Sequence, residues 1–467
     1  MEVVMSKGPV RNYLFLFALI LLVFAGCNAP RRQLDTFGEY FRSSDYEKAV
    51  EFAESKITKS QNPRKEDLLW TLQLGTLERL MQNFKESNNY FDKSEEMLNY
   101  FDYQNQTADS IAAVAVNENV VPYVGEEYDG IMVNTYKALN FMDLGENDLA
   151  RVEFNRALDR QRRAKEKFAE EINKLQNELD KEQEKEGSQV KKNVDNPEIN
   201  KLINEKYPAL NEFEAYPDFV NPFTTYVAGV FFNLVGDHSK AVTFLKESYG
   251  MVPDNKYLAQ DLAVTEEVLD GKTELKDTVW VIFENGLGPV KEEFRIDLPL
   301  FIASDQVKYF GIALPKLVFR EQAYPYLTIR AGDKNYNTQM VANMDRVVQT
   351  EFKKDFKGIL TRAIISATAK VMAQYALSKR NSSGPKIVSL LATVYSFVTT
   401  AADVRIWTTL PKNFQVVRLP IPSDRKIIIE PPGGEPIPLE IPACRNAFVY
   451  VRIPQKQSRQ VLDLITY

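Results

Sequence analysis

Residues 131–158, IMVNTYKALNFMDLGENDLARVEFNRAL, read as two antiparallel helices joined by a tight turn at Leu144-Gly145-Glu146-Asn147. Ala138, Phe141, Ala150, Phe154 and Ala157 recur at helical spacing, and small residues stand where two paired helices would touch. Such small-into-large packing is what a paired-helix repeat requires, because one hairpin cannot bury its apolar face alone. The stretch therefore predicts neighbours of its own kind.

Three weaker copies flank it. Residues 37–56 carry Tyr46 and Ala49, residues 68–94 carry Gly75, Ser87 and Phe91, and residues 226–253 carry Gly229, Ala241, Leu245 and Ser248. The pattern is that of tetratricopeptide-like (TPR-like) hairpins, although a plain array repeats every ~34 residues and these copies are spaced irregularly. Extra structure must lie between them. One such insertion, at about 159–206, opens with a run in which 17 of 28 residues are charged (159–186), with Phe168, Ile172, Leu175 and Leu179 as a narrow apolar stripe. It reads as an extension of the third hairpin's second helix, either a solvated arm or a partner-binding coiled coil. A stacked-hairpin surface offers a concave wall of first helices, here Leu72, Arg79, Met132, Leu139, Met142, Tyr226 and Asn233. An apolar, Met-containing wall suits a helix or extended segment of a protein partner, unless the chain's own connections fill it.

After Gly271 the composition changes. Strand-like runs appear at 278–283, 293–298, 307–313, 326–330, 338–342, 414–420, 426–430 and 447–453, with hairpin-turn chemistry at Glu284-Asn285-Gly286-Leu287-Gly288 and prolines at strand ends such as Pro299 and Pro315. An antiparallel β-sandwich is the simplest closure. Residues 345–404 interrupt it as two Ala-, Ser- and Thr-rich helices, 358–378 and 387–402, expected to pack on the protein; a membrane-touching hairpin is the alternative. The fold class is thus α+β, with a signal peptide over 1–26, a TPR-like helical domain over 27–271 and a β-sandwich domain over 272–467.

The N-terminus gives a location. Lys7 and Arg11 precede the apolar run 13–26, which is shorter than the ~20 residues of a bilayer span and reads as a secretory signal. It ends at Cys27; the other cysteine, Cys444, sits among apolar and proline residues and is expected to be buried and inert. Net charge is −6, His238 is the one histidine, and dense Lys/Arg runs are missing; nucleic-acid binding, metal sites and Ser/His/Asp chemistry lack material. No cofactor is expected. Catalysis by paired carboxylates has candidates such as Glu126-Glu127 and Glu292-Glu293 but no assembled motif.

Phe24-Ala25-Gly26-Cys27 resembles the lipobox of bacterial lipoproteins, which implies acylation of Cys27, and Asn28 after it implies an outer-membrane anchor facing the periplasm. Two further phrases, FENGLGPVK at 283–291 and ADVRIWTTLP at 402–411, resemble an uncharacterised family of bacterial outer-membrane lipoproteins with TPR-like repeats and a β-rich C-terminal domain. That resemblance implies membrane attachment through the lipid and protein partners in the cell envelope. In the second phrase Asp403, Arg405 and Trp407 form a candidate surface site, against the alternative that Asp403 and Arg405 pair locally while Trp407 joins the core. The expectation is a non-catalytic binding scaffold or assembly factor. The rival classes are a peptidoglycan-directed enzyme and a membrane-associated subunit of a channel or secretion complex.

Overall fold

The computed structural model describes residues 29–58, 67–105, 123–186, 196–208, 221–302, 306–380, 402–456 and 458–467, with Asn193 and Tyr216 as single positions. The expected signal peptide with Cys27, the apolar patch 111–116 and, up to residue 401, the expected second interlude helix 387–402 lie outside the described residues, as do the side chains of Phe168, Ile172, Leu175 and Leu179.

All four expected hairpins are present: α1 (Ala29–Arg42) with α2 (Tyr46–Glu54), α3 (Leu68–Leu80) with α4 (Phe84–Asn105), α5 (Glu127–Asp143) with α6 (Asn147–Glu186), and α8 (Pro222–Leu234) with α9 (His238–Met251). Small residues set the helix spacing. A Cβ on Gly75 would lie 2.4 Å from the Phe91 ring, so α3 and α4 approach as only glycine permits. The α5–α6 turn closes through Glu146 N–H donating to Phe141 O at 2.8 Å and Leu144 N–H donating to Asn140 O at 3.0 Å. A short helix, α7 (Pro197–Lys206), starts with Asn196 accepting from Glu198 N–H and Pro197 in the first turn. The last helix before the sheets, α10 (Lys256–Leu269), is capped by Asn255, whose side chain accepts from Tyr257 and Leu258 N–H.

The C-terminal half contains β1 (Thr278–Asn285), β2 (Val290–Ile302), β3 (Gln306–Val318), β4 (Thr328–Ala331), β5 (Lys334–Asn337), β6 (Gln339–Asn343), α11 (Met344–Arg380), β7 (Asn413–Pro420), β8 (Lys426–Glu430), β9 (Ile437–Glu440), β10 (Asn446–Ile453) and β11 (Val461–Thr466). They form a five-stranded sheet in the order β11-β10-β1-β7-β6, a β2–β3 ribbon and a four-stranded sheet β5-β4-β8-β9. The α+β class stands, and most strand pairs are antiparallel. Two details depart from the sandwich expected. β1 and β10 run parallel, Val281 opposite Val449, so the central sheet is mixed. The 284–288 stretch is not a hairpin turn, because β1 pairs with β7 and β10 while β2 pairs only with β3. Pro299 and Pro315 lie inside β2 and β3 rather than at their ends, which a two-stranded ribbon with free outer edges tolerates.

Every residue of β1 is buried, so both faces of the central sheet are covered. Alternation places Trp280, Ile282 and Glu284 on one face, level with Phe448, Tyr450 and Arg452 on β10 and with Phe414, Val416 and Arg418 on β7. That face meets the concave side of the hairpins. Phe414 stacks on Phe223 of α8 with ring centroids 3.7 Å apart, and the Trp280 indole N–H donates to Asp261 of α10 at 3.0 Å. Arg418 pairs with the same carboxylate at 2.8 Å. The expected boundary near 271 is therefore a change of secondary structure and not a break in the core, which runs continuously through both halves.

Of the two expected interlude helices, the one on described residues is α11, which begins earlier than expected, at Met344. It packs along the ribbon, burying Phe352, Phe356, Leu360, Ile364, Ala367 and Val371, with Tyr207 wedged between Phe294, Phe352 and Phe356. Among the described residues no helix is long and apolar enough to cross a membrane.

Candidate functional site

The concave wall fails to face solvent. Leu72, Met132, Leu139, Met142 and Tyr226 are fully buried, and Arg79 and Asn233 nearly so, because the central sheet occupies the groove. These side chains are interior contacts that no partner can reach in this fold. Arg79 shows how. It donates to Asn140 at 2.6 Å, pairs with Asp143 at 3.2 Å, and its guanidinium lies 4.9 Å from the Tyr450 ring centroid on β10. Asn233 is held by Thr265 and His238, and Tyr226 donates its hydroxyl to Asp261 at 2.7 Å.

Asp403 and Arg405 form a bidentate local pair, with nitrogen–oxygen distances of 2.8 and 2.7 Å. Trp407 is 1 % exposed, packs against Phe91 and Tyr136, and donates its indole N–H to Thr76 and Thr409 at 3.0 and 2.9 Å. The surface-site expectation is thereby replaced by its alternative: Trp407 is the plug between the hairpins and the sheet. Cys444 is half-buried rather than buried, its sulfur 3.4 Å from the Arg425 guanidinium.

The structure does bring the segments 283–291 and 402–411 together. Gly288 N–H donates to Leu410 O at 2.8 Å, and Lys412 N–H to Asn285 O at 2.9 Å. Two arginines clip the junction: Arg452 donates to Gly286 O and Thr409 O at 2.7 and 3.1 Å, and Arg320 to Gly288 O and Thr408 O. Gly286 has φ +67° and a Cβ there would lie 3.0 Å from Gln322 Cα, so this joint requires glycine on both counts.

Beside the joint lies a polar seam. Glu284 pairs with Arg452 at 3.3 Å and accepts the Tyr450 hydroxyl at 2.5 Å; Asp143 faces Asp463 of β11. Burial first, then the Asp463 carboxyl, pushes Asp143 up to about 9 despite Arg79 alongside. Tyr136 and Asp463 line a cavity of about 20 Å³. That volume suits one water and no substrate.

A second acidic group surrounds the start of α5. Carboxylate oxygens of Glu126, Glu351 and Asp355 lie within 4.8 Å of one another. Their charge is met from within: Lys291 Nζ is 2.6 Å from Glu126, and Glu351 accepts from Glu127 and Tyr128 N–H at 2.5 and 3.2 Å, so α11 caps the N-terminus of α5. Burial, reinforced by Glu126 and Asp355, raises Glu351 well above the carboxylate range. Nothing in sequence spacing announces this cap, which joins residues more than two hundred positions apart.

Asp129 in the same turn is pushed up to about 7, chiefly by burial, while the Tyr123 hydroxyl at 2.5 Å and Glu126 N–H at 3.0 Å oppose the shift. A carboxyl raised in the fold holds a proton that the unfolded chain releases near pH 4. Its contribution is complete below about pH 4 and is lost as pH rises toward 7. The melting temperature of wild type minus that of Asp129→Asn should therefore fall across that window; a difference that is flat or rises with pH would remove the assignment.

No protein-family model matches the chain, and a search of the curated proteins finds no match.

Proposed function

We propose that the chain is an outer-membrane lipoprotein, anchored through acylated Cys27 and facing the periplasm, that serves as a non-catalytic binding scaffold for an envelope protein. The observation that carries the scaffold reading is α6, which continues to Glu186 while its groove is filled: beyond the buried Ala164, Glu166, Glu170, Asn173 and Asn177 are exposed. At 1.5 Å per residue the whole helix measures ~60 Å, a rigid projection of both charge signs. The segment that returns after α6 is tied to the body, since Asn193 donates to Thr368 of α11 at 3.3 Å and Ile199 of α7 is buried. The partner surface is then the projecting half of α6, not the groove. Only Asn28 separates Cys27 from the first residue of α1, so the body works close to its membrane.

Cross-linked capture of partners from intact envelopes tests this. Cys27→Ser should release the chain from salt-washed membranes, since the acyl chains supply the affinity. Replacing residues 168–190 by a flexible Gly/Ser linker should leave the melting temperature within a few degrees and abolish capture. Undiminished capture by that folded variant would move the partner off the arm, and membrane retention of Cys27→Ser would dismiss the lipid anchor.

A further inference from the structure

We propose that β11 is a proton-held latch: Asp143, at the end of α5, and Asp463, within β11, share one proton across the seam between them, and withdrawing it in alkaline solution frees β11 from the hairpins. The charges of the seam, its cavity and the place of β11 at the rim of the sheet carry this together.

The charges do not balance. Glu284 takes Arg452 at 3.3 Å and Asp143 Oδ2 takes Arg79 at 3.2 Å, with the Asp143 side chain 1 % exposed. Asp463 beside them has no cation of its own among the described residues. Its Oδ1 accepts from Leu464 N–H at 3.0 Å. Its Oδ2 and Asp143 Oδ1 are shut off from solvent, and no N–H or hydroxyl of the described residues donates to either. These two oxygens are what remains for the hydrogen bond between the Asp143 and Asp463 side chains. Two ionised carboxylates cannot form one, because neither carries a donor; a single proton supplies it.

The surroundings hold that proton in place. Asp463 shares the cavity with Arg79 from α3, Tyr136 from α5, Glu284 from β1, and Tyr450 and Arg452 from β10, and Tyr467 faces Asp143 from just beyond β11. Burial raises all three tyrosines, so they stay neutral; Glu284 and Arg452 cancel. Arg79 is then one cation against two carboxyls. Burial first, then Asp463, holds Asp143 up at about 9, so the pair keeps its proton through the neutral range. The unfolded chain releases it near pH 4, so its contribution is complete below about pH 4 and is lost as pH climbs toward 9. Beyond that both carboxyls are charged and Arg79 balances only one.

What yields is β11. Nearly every residue of α5 is buried, whereas β11 is the edge strand of the five-stranded sheet and half-exposed from Val461 to Leu464. Besides the carboxyl pair, Gln82 ties it to the hairpins by donating to Leu462 O at 3.0 Å, and the Tyr467 hydroxyl donates to Asn147 at 3.2 Å. With β11 lifted, residues 447–452 of β10 present unpaired backbone groups at the rim, an edge of the kind that accepts a strand from another chain.

Asp463→Asn is the deciding variant. Its amide oxygen keeps the Leu464 contact and its nitrogen donates to Asp143, so the bond no longer needs a proton. Hydrogen exchange of the detergent-solubilised full chain is followed by mass spectrometry at neutral pH and at about pH 10, with times scaled to the chemical exchange rate. In wild type, peptides covering 459–467 should lose protection tenfold or more at the higher pH while those of β1 and β7 keep theirs. In Asp463→Asn, 459–467 should stay protected at both. Asp143→Asn makes the same bond from the other side and should behave likewise, which keeps the test decisive should Asp463→Asn fail to fold. Asp254→Asn, at an exposed turn, should follow wild type. Unchanged protection of 459–467 in wild type, its loss in a folded amide variant, or loss in β1 at the same pH as in β11 overturns the latch.

Discussion

Residues 28–271 expressed alone should not give a soluble folded monomer. With the sheet removed, Leu72, Met132, Leu139, Tyr226 and Phe223 would form one continuous apolar wall, together with the buried cation of Arg79. Exposed apolar patches beyond a few hundred Å² drive association; Arg79 would keep Asn140 and Asp143 but lose the Tyr450 ring that covers its guanidinium. The expected outcome is aggregation, or a loosely packed species with helical far-ultraviolet signal and no sharp melt. A monodisperse monomer by light scattering, with a cooperative transition, would show that the hairpins form an independent domain and that the shared core is not required.

Trp407→Ala should be the most damaging single substitution in the chain. It removes the plug that touches Phe91, Tyr136, Thr76 and Thr409, leaving a cavity at a seam that cannot close without moving α3 against the sheet. Losses of about 3–5 kcal/mol accompany large-to-alanine changes for buried aromatics, and two threonine hydroxyls lose their donor besides. Trp407→Phe should cost less than half as much. Because the residue bridges both halves, helix and sheet signals should disappear together in one denaturant transition shifted to lower concentration. Two separate transitions in the variant, or a loss under about 1 kcal/mol, would mean that the halves are held by something else.

How far the sequence reaches is plain from these two cases. Helical periodicity with small residues at Gly75, Ala150 and Gly229 is a local property, so hairpins and their turns are readable to within a few residues. The strands at 426–430 and 447–453 are readable for the same reason. What is not readable is pairing. The ENGLG stretch has hairpin composition, yet it serves as a joint clipped by Arg320 and Arg452, and nothing in its own residues says that the next strand turns away to form a ribbon. Three strands escape a reading of the sequence: Lys334–Asn337 and Ile437–Glu440 are four residues each and polar or proline-containing, and Val461–Thr466 carries Asp463 in its middle. Whether the wall of first helices is open or covered depends on a sheet contributed from far along the chain, and local pattern holds no record of that. Trp407 alone offers a hint, since a tryptophan beside two threonines can bury its N–H only by giving it a partner.

The parallel pairing of β1 with β10 has a consequence for the order of events during synthesis. A chain emerges from the ribosome amino end first. α1 to α10 can form as they appear, because each hairpin is a local contact. β1 follows them but cannot take its place until β7 and β10, far downstream, have been delivered to both of its sides. Throughout that interval the hairpins stand with their lining bare and Trp280 has no sheet to hold it against Asp261. A half-molecule with that lining exposed is the kind of species that holding chaperones guard. Slowing delivery of the final third of the chain should raise its dependence on such helpers far more than slowing delivery of the first.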